Sequence, residues 1–257
     1  MSFDSKHQAM KQVKALLFNK LIVIGFSIVL GFVLTACEDE VETDDNSDNA
    51  NQVTIEALTD GDFENWNIHT EGEVSYEVPE SGWWGSLNML ATLGSPLTMT
   101  KTGDAHSGNY AVQLETKNWG DQLAIPGILA AGYFDTSQPI AENLMLGRPY
   151  SETPVVLSGY FKYFPADQDT LVIYTNLTRY NTETNTRDTI AEADFTIDQL
   201  FNEYTKFELF YDYYLTGVTP DTINVLFLTS VSGQEFLGHI GSKLLIDDLT
   251  ILLENEK

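Results

Sequence analysis

The sequence predicts an all-β domain, an antiparallel β-sandwich or barrel, behind a signal peptide and a disordered tether. Three observations predict it. From Val53 onward, apolar residues recur with a period of two rather than 3.6. The recurring segments are rich in β-branched and aromatic residues, which suit a pleated, half-buried surface. Turn residues bound each segment. Residues 53–257 contain no second linker and no repeat, and a stretch of about 200 residues fits one β domain.

The chain opens on Lys6, Lys11, Lys14 and Lys20, then an uncharged apolar run over residues 21–33 (LIVIGFSIVLGFV). Basic start, short apolar core and small residues at the end describe a secretory signal. The run is short of the roughly 20 apolar residues of a membrane-spanning helix. Leu34-Thr35-Ala36-Cys37 follows, holding the chain's only cysteine. It resembles the bacterial lipobox, which implies cleavage over residues 1–36 and a lipid on Cys37. Acyl chains then anchor the protein to the membrane. No thiol remains for a disulfide, a nucleophile or a metal.

Residues 37–52 form the spacer. After Cys37 they read EDEVETDDNSDNANQ, acidic and without aromatics. Such a composition buries too little to order itself and predicts a disordered tether. Acidic residues directly after the cysteine resemble the signal that directs some lipoproteins to the outer face of the outer membrane. The expected location is the outer membrane, periplasmic or cell-surface.

The expected strands then follow in order. Residues 73–78 (EVSYEV), 97–100 and 110–114 alternate. Residues 155–164 (VVLSGYFKYF), 171–177 (LVIYTNL) and 189–195 come next, the last two joined by a polar turn over 181–186. Residues 207–214, 223–228 and 243–252 complete the set, for about ten strands in all. Residues 84–93 read equally as strand or helix, and one helical turn is expected near residues 197–204. Asp169-Thr170-Leu171, Asp188-Thr189-Ile190 and Asp221-Thr222-Ile223 share one form. They read as a turn Asp before a β-branched strand opener, though they also look like bacterial O-glycosylation sites.

Charge excludes some partners. The chain holds 13 Lys and Arg against 38 Asp and Glu, and residues 1–36 carry four Lys and one Asp of these. The mature chain therefore carries a formal −28. It repels nucleic acid, whose binding needs clustered cations. It repels anionic headgroups too, so the lipid alone is expected to hold the membrane.

Several stretches in order resemble one family. They are Phe63-Glu64-Asn65-Trp66, residues 79–88 (PESGWWGSLN), residues 104–114 (DAHSGNYAVQL), Ala131-Gly132-Tyr133-Phe134, Gly147-Arg148-Pro149-Tyr150, residues 157–163 (LSGYFKY) and residues 238–244 (GHIGSKL). Together they resemble the bacterial putative carbohydrate metabolism domain (PCMD) over roughly residues 63–253. The tyrosine-rich segment Tyr211 to Tyr214 departs from that family. The resemblance implies a jelly-roll sandwich of the galactose-binding-like kind and a link to glycans, without fixing a reaction.

The same resemblance implies a structural calcium site of Glu64, Asp104 and Asp247. Calcium takes oxygen ligands, and carboxylates plus loop carbonyls supply them. In strict alternation Asp247 shares a face with Leu245, Leu249 and Ile251, where a carboxylate needs a cation or another partner, such as backbone N–H groups or Lys243. For glycan, Trp83, Trp84 and Trp119 offer rings for a sugar's C–H face, with Asn88 and Asp121 supplying polar contacts. Adjacent Trp83 and Trp84 point to opposite sides of an extended segment, so at most one belongs to the core.

No nucleophile or zinc motif of the GxSxG or HExxH type occurs. His69, His106 and His239 are isolated in sequence. A glycosidase needs two carboxylates about 5–9 Å apart, which the sequence neither excludes nor locates. The reading reached is an anchored, non-catalytic sandwich that binds or presents glycan. Its rivals are a glycan hydrolase or lyase with a carboxylate pair, and a structural lipoprotein docked to another envelope protein.

Overall fold

The computed structural model describes residues 53–120, 123–134, 144–231 and 238–254. Cys37, the signal and the tether lie outside the described residues. So does Asp121.

The first part of the fold runs through β1 (Val53–Ala57), β2 (Trp66–Glu71), β3 (Val74–Pro79) and β4 (Trp84–Ser86) to a 3-10 helix, Leu87–Leu93. Then come β5 (Met99–Thr102), β6 (Ala111–Glu115), β7 (Lys117–Asn118), β8 (Ala124–Ile125), β9 (Ile128–Phe134), β10 (Leu144–Leu146) and β11 (Arg148–Pro149). The long strands follow: β12 (Pro154–Phe164), β13 (Leu171–Asn181), β14 (Thr186–Ile197) and β15 (Phe201–Phe210). β16 (Asp212–Tyr213), β17 (Thr222–Leu228) and β18 (Lys243–Glu254) close the set.

Two antiparallel sheets carry the domain. Sheet one has the order β15-β12-β18-β6-β5, with β1 also on β18. Sheet two has the order β10-β9-β17-β13-β14-β16, with β4 on β9 and β11 on β17. They pack face to face as a jelly-roll sandwich. Leu157, Phe161 and Tyr163 of β12 point inward, as the period of two requires. A file of rings crosses the interior from sheet to sheet: Phe161 meets Phe207 at 6.3 Å, Phe207 meets Phe227 at 6.2 Å, and Phe227 meets Trp84 at 6.1 Å. Burying each such side chain stabilises the fold by about 1.5–3 kcal/mol.

A second cluster lies on the outer side of sheet two. Leu87 and Leu90 of the 3-10 helix, with Trp119 and Ile125 around the β7–β8 hairpin, cover Val172, Tyr174, Leu226 and Leu228. This cap explains why residues 171–175 are buried on both faces instead of alternating.

Two local expectations change. Residues 197–204 form no helical turn; β14 runs to Ile197 and β15 starts at Phe201. Phe195 and Phe201 both pack on Phe161, at 5.9 and 5.2 Å, and this contact overrides the local preference. The last strand does not alternate strictly. Asp248 has φ +49°, and the register against β12 shifts between Ser158 and Tyr160. Leu249 and Ile251 consequently join Leu244 and Ile246 in the core, while Asp247 turns to the outer face. Two of the Asp-Thr pairs act as turn-to-strand devices, with Asp169 accepting the N–H of Thr170 at 2.9 Å and Asp221 the hydroxyl of Thr222 at 2.7 Å.

Candidate functional site

Beyond the cap, polar side chains on the outer face of sheet two form a transverse line among the described residues. Glu192 of β14 faces Asn176 of β13, and Asn176 faces Asn224 of β17. Asp212 of β16 faces Glu192 from the other side. One residue pair along, Asp194 faces Tyr174. Each points outward because Ala191, Ala193, Ile173, Leu177, Ile223 and Val225, offset by one, fill the core.

Hydrogen bonds join the line into one network. The Tyr174 hydroxyl donates to Glu192 Oε2 at 3.1 Å, and the Tyr214 hydroxyl donates to Oε1 at 2.5 Å. Asn224 Nδ2 donates to Asn176 Oδ1 at 2.7 Å. The Asn176 side chain also bonds Tyr174, and that contact favours the ionised phenol, though burial and Glu192 hold the phenol well above its ordinary value. The bond to Glu192, before burial, raises Tyr214 to about 12. Asp194 is also raised, first by burial and then by the nearby carboxylates of Glu192 and Asp212. At the far end, a Cβ on Gly147 would stand 2.8 Å from Asn224 Oδ1, so only glycine lets that backbone approach. Tyr214 is 57% exposed and leaves a ring face to solvent beside the carboxylates. Phenol, carboxylate and paired amides on one sheet face offer both donors and acceptors, as a polyhydroxylated ligand requires.

The tryptophans expected to bind sugar have other positions. Trp84 is 4% exposed, between Phe63 and Phe227, and its indole N–H donates to the Thr59 carbonyl at 3.0 Å. Trp119 is buried in the cap. Asn88 is fully buried, donating to the Met99 carbonyl at 2.7 Å and accepting the N–H groups of Thr98 and Met99. It ties the 3-10 helix to β5 and has no face for a ligand. Trp83 alone is half-buried, edge-on to Trp84 at 4.7 Å. Arg148 holds its carbonyl at 2.8 Å and lies over the exposed ring of Tyr133 at 5.4 Å. The line on sheet two was missed in the sequence because its members come from four strands. Only their shared parity within each strand marks them.

The putative carbohydrate metabolism domain matches residues 55–252. The chain belongs to this family. No curated protein sequence matches it. Among solved structures, it is similar to a putative glycoside hydrolase from Bacteroides thetaiotaomicron, 22% identical with a TM-score of 0.59, covering 75% of this chain and 67% of that one. It is also similar to a putative glycoside hydrolase from Bacteroides vulgatus, 21% identical with a TM-score of 0.63, covering 79% of this chain and 98% of that one. A third match is TmCBM61 in complex with β-1,4-galactotriose, 12% identical with a TM-score of 0.34, covering 77% and 94%. The two larger scores establish a shared fold.

In this PCMD chain the carboxylates expected to hold calcium do gather around one loop, residues 103–110. They hold it through hydrogen bonds to its backbone and one ion pair. Glu64 accepts the N–H of Asn109 and of Tyr110, each at 2.8 Å, and the Asn109 amide at 3.0 Å. The Tyr110 N–H, against a burial cost, lowers the pKa of Glu64. Asp247 Oδ2 accepts the N–H of His106 at 2.8 Å and of Ser107 at 3.3 Å, while Oδ1 takes the N–H of Asp248 at 2.9 Å. Burial first, and then the neighbouring Asp248, still push Asp247 up to about 6. Asp104 pairs with Lys162 at 2.7 Å. Their oxygens face N–H donors and an ammonium, and no group of three metal-ligating side chains converges among the described residues. This donor set does not fit calcium. The loop is further pinned by His106, which stacks on Tyr160 at 3.5 Å and pairs with Asp248 at 2.6 Å.

Proposed function

We propose that this chain is a lipid-anchored envelope protein whose sandwich binds carbohydrate on the outer face of sheet two. The observation that carries the reading is the joined line Tyr214–Glu192–Tyr174–Asn176–Asn224. Its groups are held in place before any ligand arrives, which lowers the ordering cost of binding. Membership of a carbohydrate-related family supports a glycan as the ligand. The N-terminal sequence supports anchoring through Cys37 at the outer membrane. A glycan array probed with the full chain in detergent tests the binding: wild type retains one or more glycans, and Asn176→Ala retains them more weakly. Equal retention by both would move the site elsewhere. Mass spectrometry of the N-terminal peptide tests the lipid.

A second reading, glycoside hydrolysis, is favoured by one observation. Asp194 and Glu192 lie two residues apart on one strand face, about 7 Å between backbones, and the raised Asp194 suits a general acid. Reducing-end release from the bound glycan, abolished by Asp194→Asn, would support hydrolysis over simple binding.

A further inference from the structure

The outer face of sheet one carries an apolar row. Ile55 of β1 faces Leu252 of β18, Leu252 faces Val156 of β12, and Val156 faces Phe210 of β15. The row crosses four neighbouring strands, about 14 Å at the usual strand spacing. Only its ends stand in solvent: Ile55 is 68% exposed and Phe210 66% exposed, with Val53 beside Ile55 at 51%, while Val156 between them is buried and Leu252 half-buried. The next row, Ala57, Thr250, Ser158 and Glu208, is polar, with Ser158 and Thr250 bonded at 2.8 Å. The apolar band is therefore confined to the end of the face where β1 begins.

That end is where the membrane-directed part of the chain arrives. Only fifteen residues separate Cys37 from Val53, a reach of at most about 50 Å. An anchor on so short a leash keeps this row near the bilayer at high effective concentration. We infer that the exposed apolar side chains at the ends of this row, Val53 and Ile55 of β1 and Phe210 of β15, rest on the lipid surface of the membrane that holds the anchor. The sandwich then lies with sheet one down. Sheet two, packed on the opposite side of the core, faces away from the bilayer with its polar line. The occupant is zwitterionic lipid, because the acidic mature chain opposes an anionic surface. This inference rests on the anchoring of Cys37, and not on the glycan reading.

The test uses the full lipidated chain in phosphatidylcholine vesicles. A single reporter thiol is placed by Glu208→Cys, in the row next to the apolar band, or by Thr196→Cys, on the outer face of sheet two. Each is labelled with an environment-sensitive fluorophore. Acylated Cys37 takes no label, and label uptake by the parent chain would itself overturn the inference. The label at position 208 is expected to shift to the blue and to be quenched by nitroxide lipid at least about twofold more than the label at 196. Ile55→Asp with Phe210→Asp is expected to remove the difference while leaving the melting transition in place. Equal quenching at both positions overturns the inference. So does a shift that follows protein concentration in detergent, which would assign the row to a second copy.

Discussion

Glu64 and Gly108 occupy each other's space: a Cβ on Gly108 would stand 2.4 Å from Glu64 Oε1, and Gly108 has φ +63°. The missing side chain lets the carboxylate reach the N–H groups that follow. Gly108→Ala is therefore expected to destabilise the domain by more than the cost of a left-handed alanine, about 1–2 kcal/mol, because its Cβ also displaces the Glu64 carboxylate. It should be non-additive with Glu64→Gln, because both act on one contact. Urea unfolding of the two single variants and the double variant checks this.

Burial of Asp247 gives a pH signature. Its folded value, about 6, lies above its ordinary value of 3.8. Between the two, the folded chain holds the proton more tightly than the unfolded chain, so this group's contribution falls as pH rises through that window. The stability of wild type minus that of Asp247→Asn is expected to drop between about pH 4 and pH 6 by up to about 3 kcal/mol. Denaturant titrations at several pH values measure the difference. A difference that rises instead would refute the assignment.

On sheet two, Asn176→Ala and Asn224→Ala are each expected to weaken glycan binding about five- to tenfold, the worth of one hydrogen bond of about 1–1.5 kcal/mol. Calorimetry with the retained glycan gives the affinity, and far-UV melting checks that the fold is kept.

The adjacent tryptophans should separate cleanly. Trp84→Ala opens a cavity between Phe63 and Phe227 and is expected to cost about 3–5 kcal/mol. Trp83→Ala is expected to cost less than half as much, because its ring is partly in water. Thermal unfolding of the pair measures both.

Chelation is expected to leave the melting temperature unchanged, and added calcium to leave it unchanged in turn. The Glu64, Asp104 and Asp247 carboxylates already face N–H donors or Lys162. A fall of several degrees in EDTA that calcium reverses would reinstate the metal.

Of the strands that cross the middle of the sandwich, β12 was legible because inward and outward residues alternate along it, and β17 because its β-branched and aromatic run stands between turn residues. Residues 155–164 and 223–228 match β12 and β17 within a residue. β1, β2 and β9 were not, since β1 and β2 are largely exposed and β9 is buried on both faces, so none alternates. The convergence of Glu64, the 103–110 loop and Asp247 was legible through resemblance, but its chemistry was not. Whether a carboxylate meets N–H groups or a cation depends on how the loop backbone turns, and the bulge at Asp248 decides that. Trp84 and Trp119 misled for a simpler reason. A large ring with one N–H suits a sugar and a core equally, and only the neighbours across the fold choose.

The cap over sheet two has a kinetic meaning. The 3-10 helix and the β7–β8 hairpin dock onto a finished sheet face, and most of their hold on it is the apolar cluster around Leu87, Leu90, Trp119 and Ile125. Their release leaves the central ladders of both sheets paired. Once the Asn88 bonds to Thr98 and Met99 also give way, this unit is expected to open on its own and to exchange its amides faster than the central ladders, which hydrogen exchange would measure. Tyr174 lies under that unit and also in the polar line, so an opening of the cap would loosen the anchoring of Glu192 and Asn176.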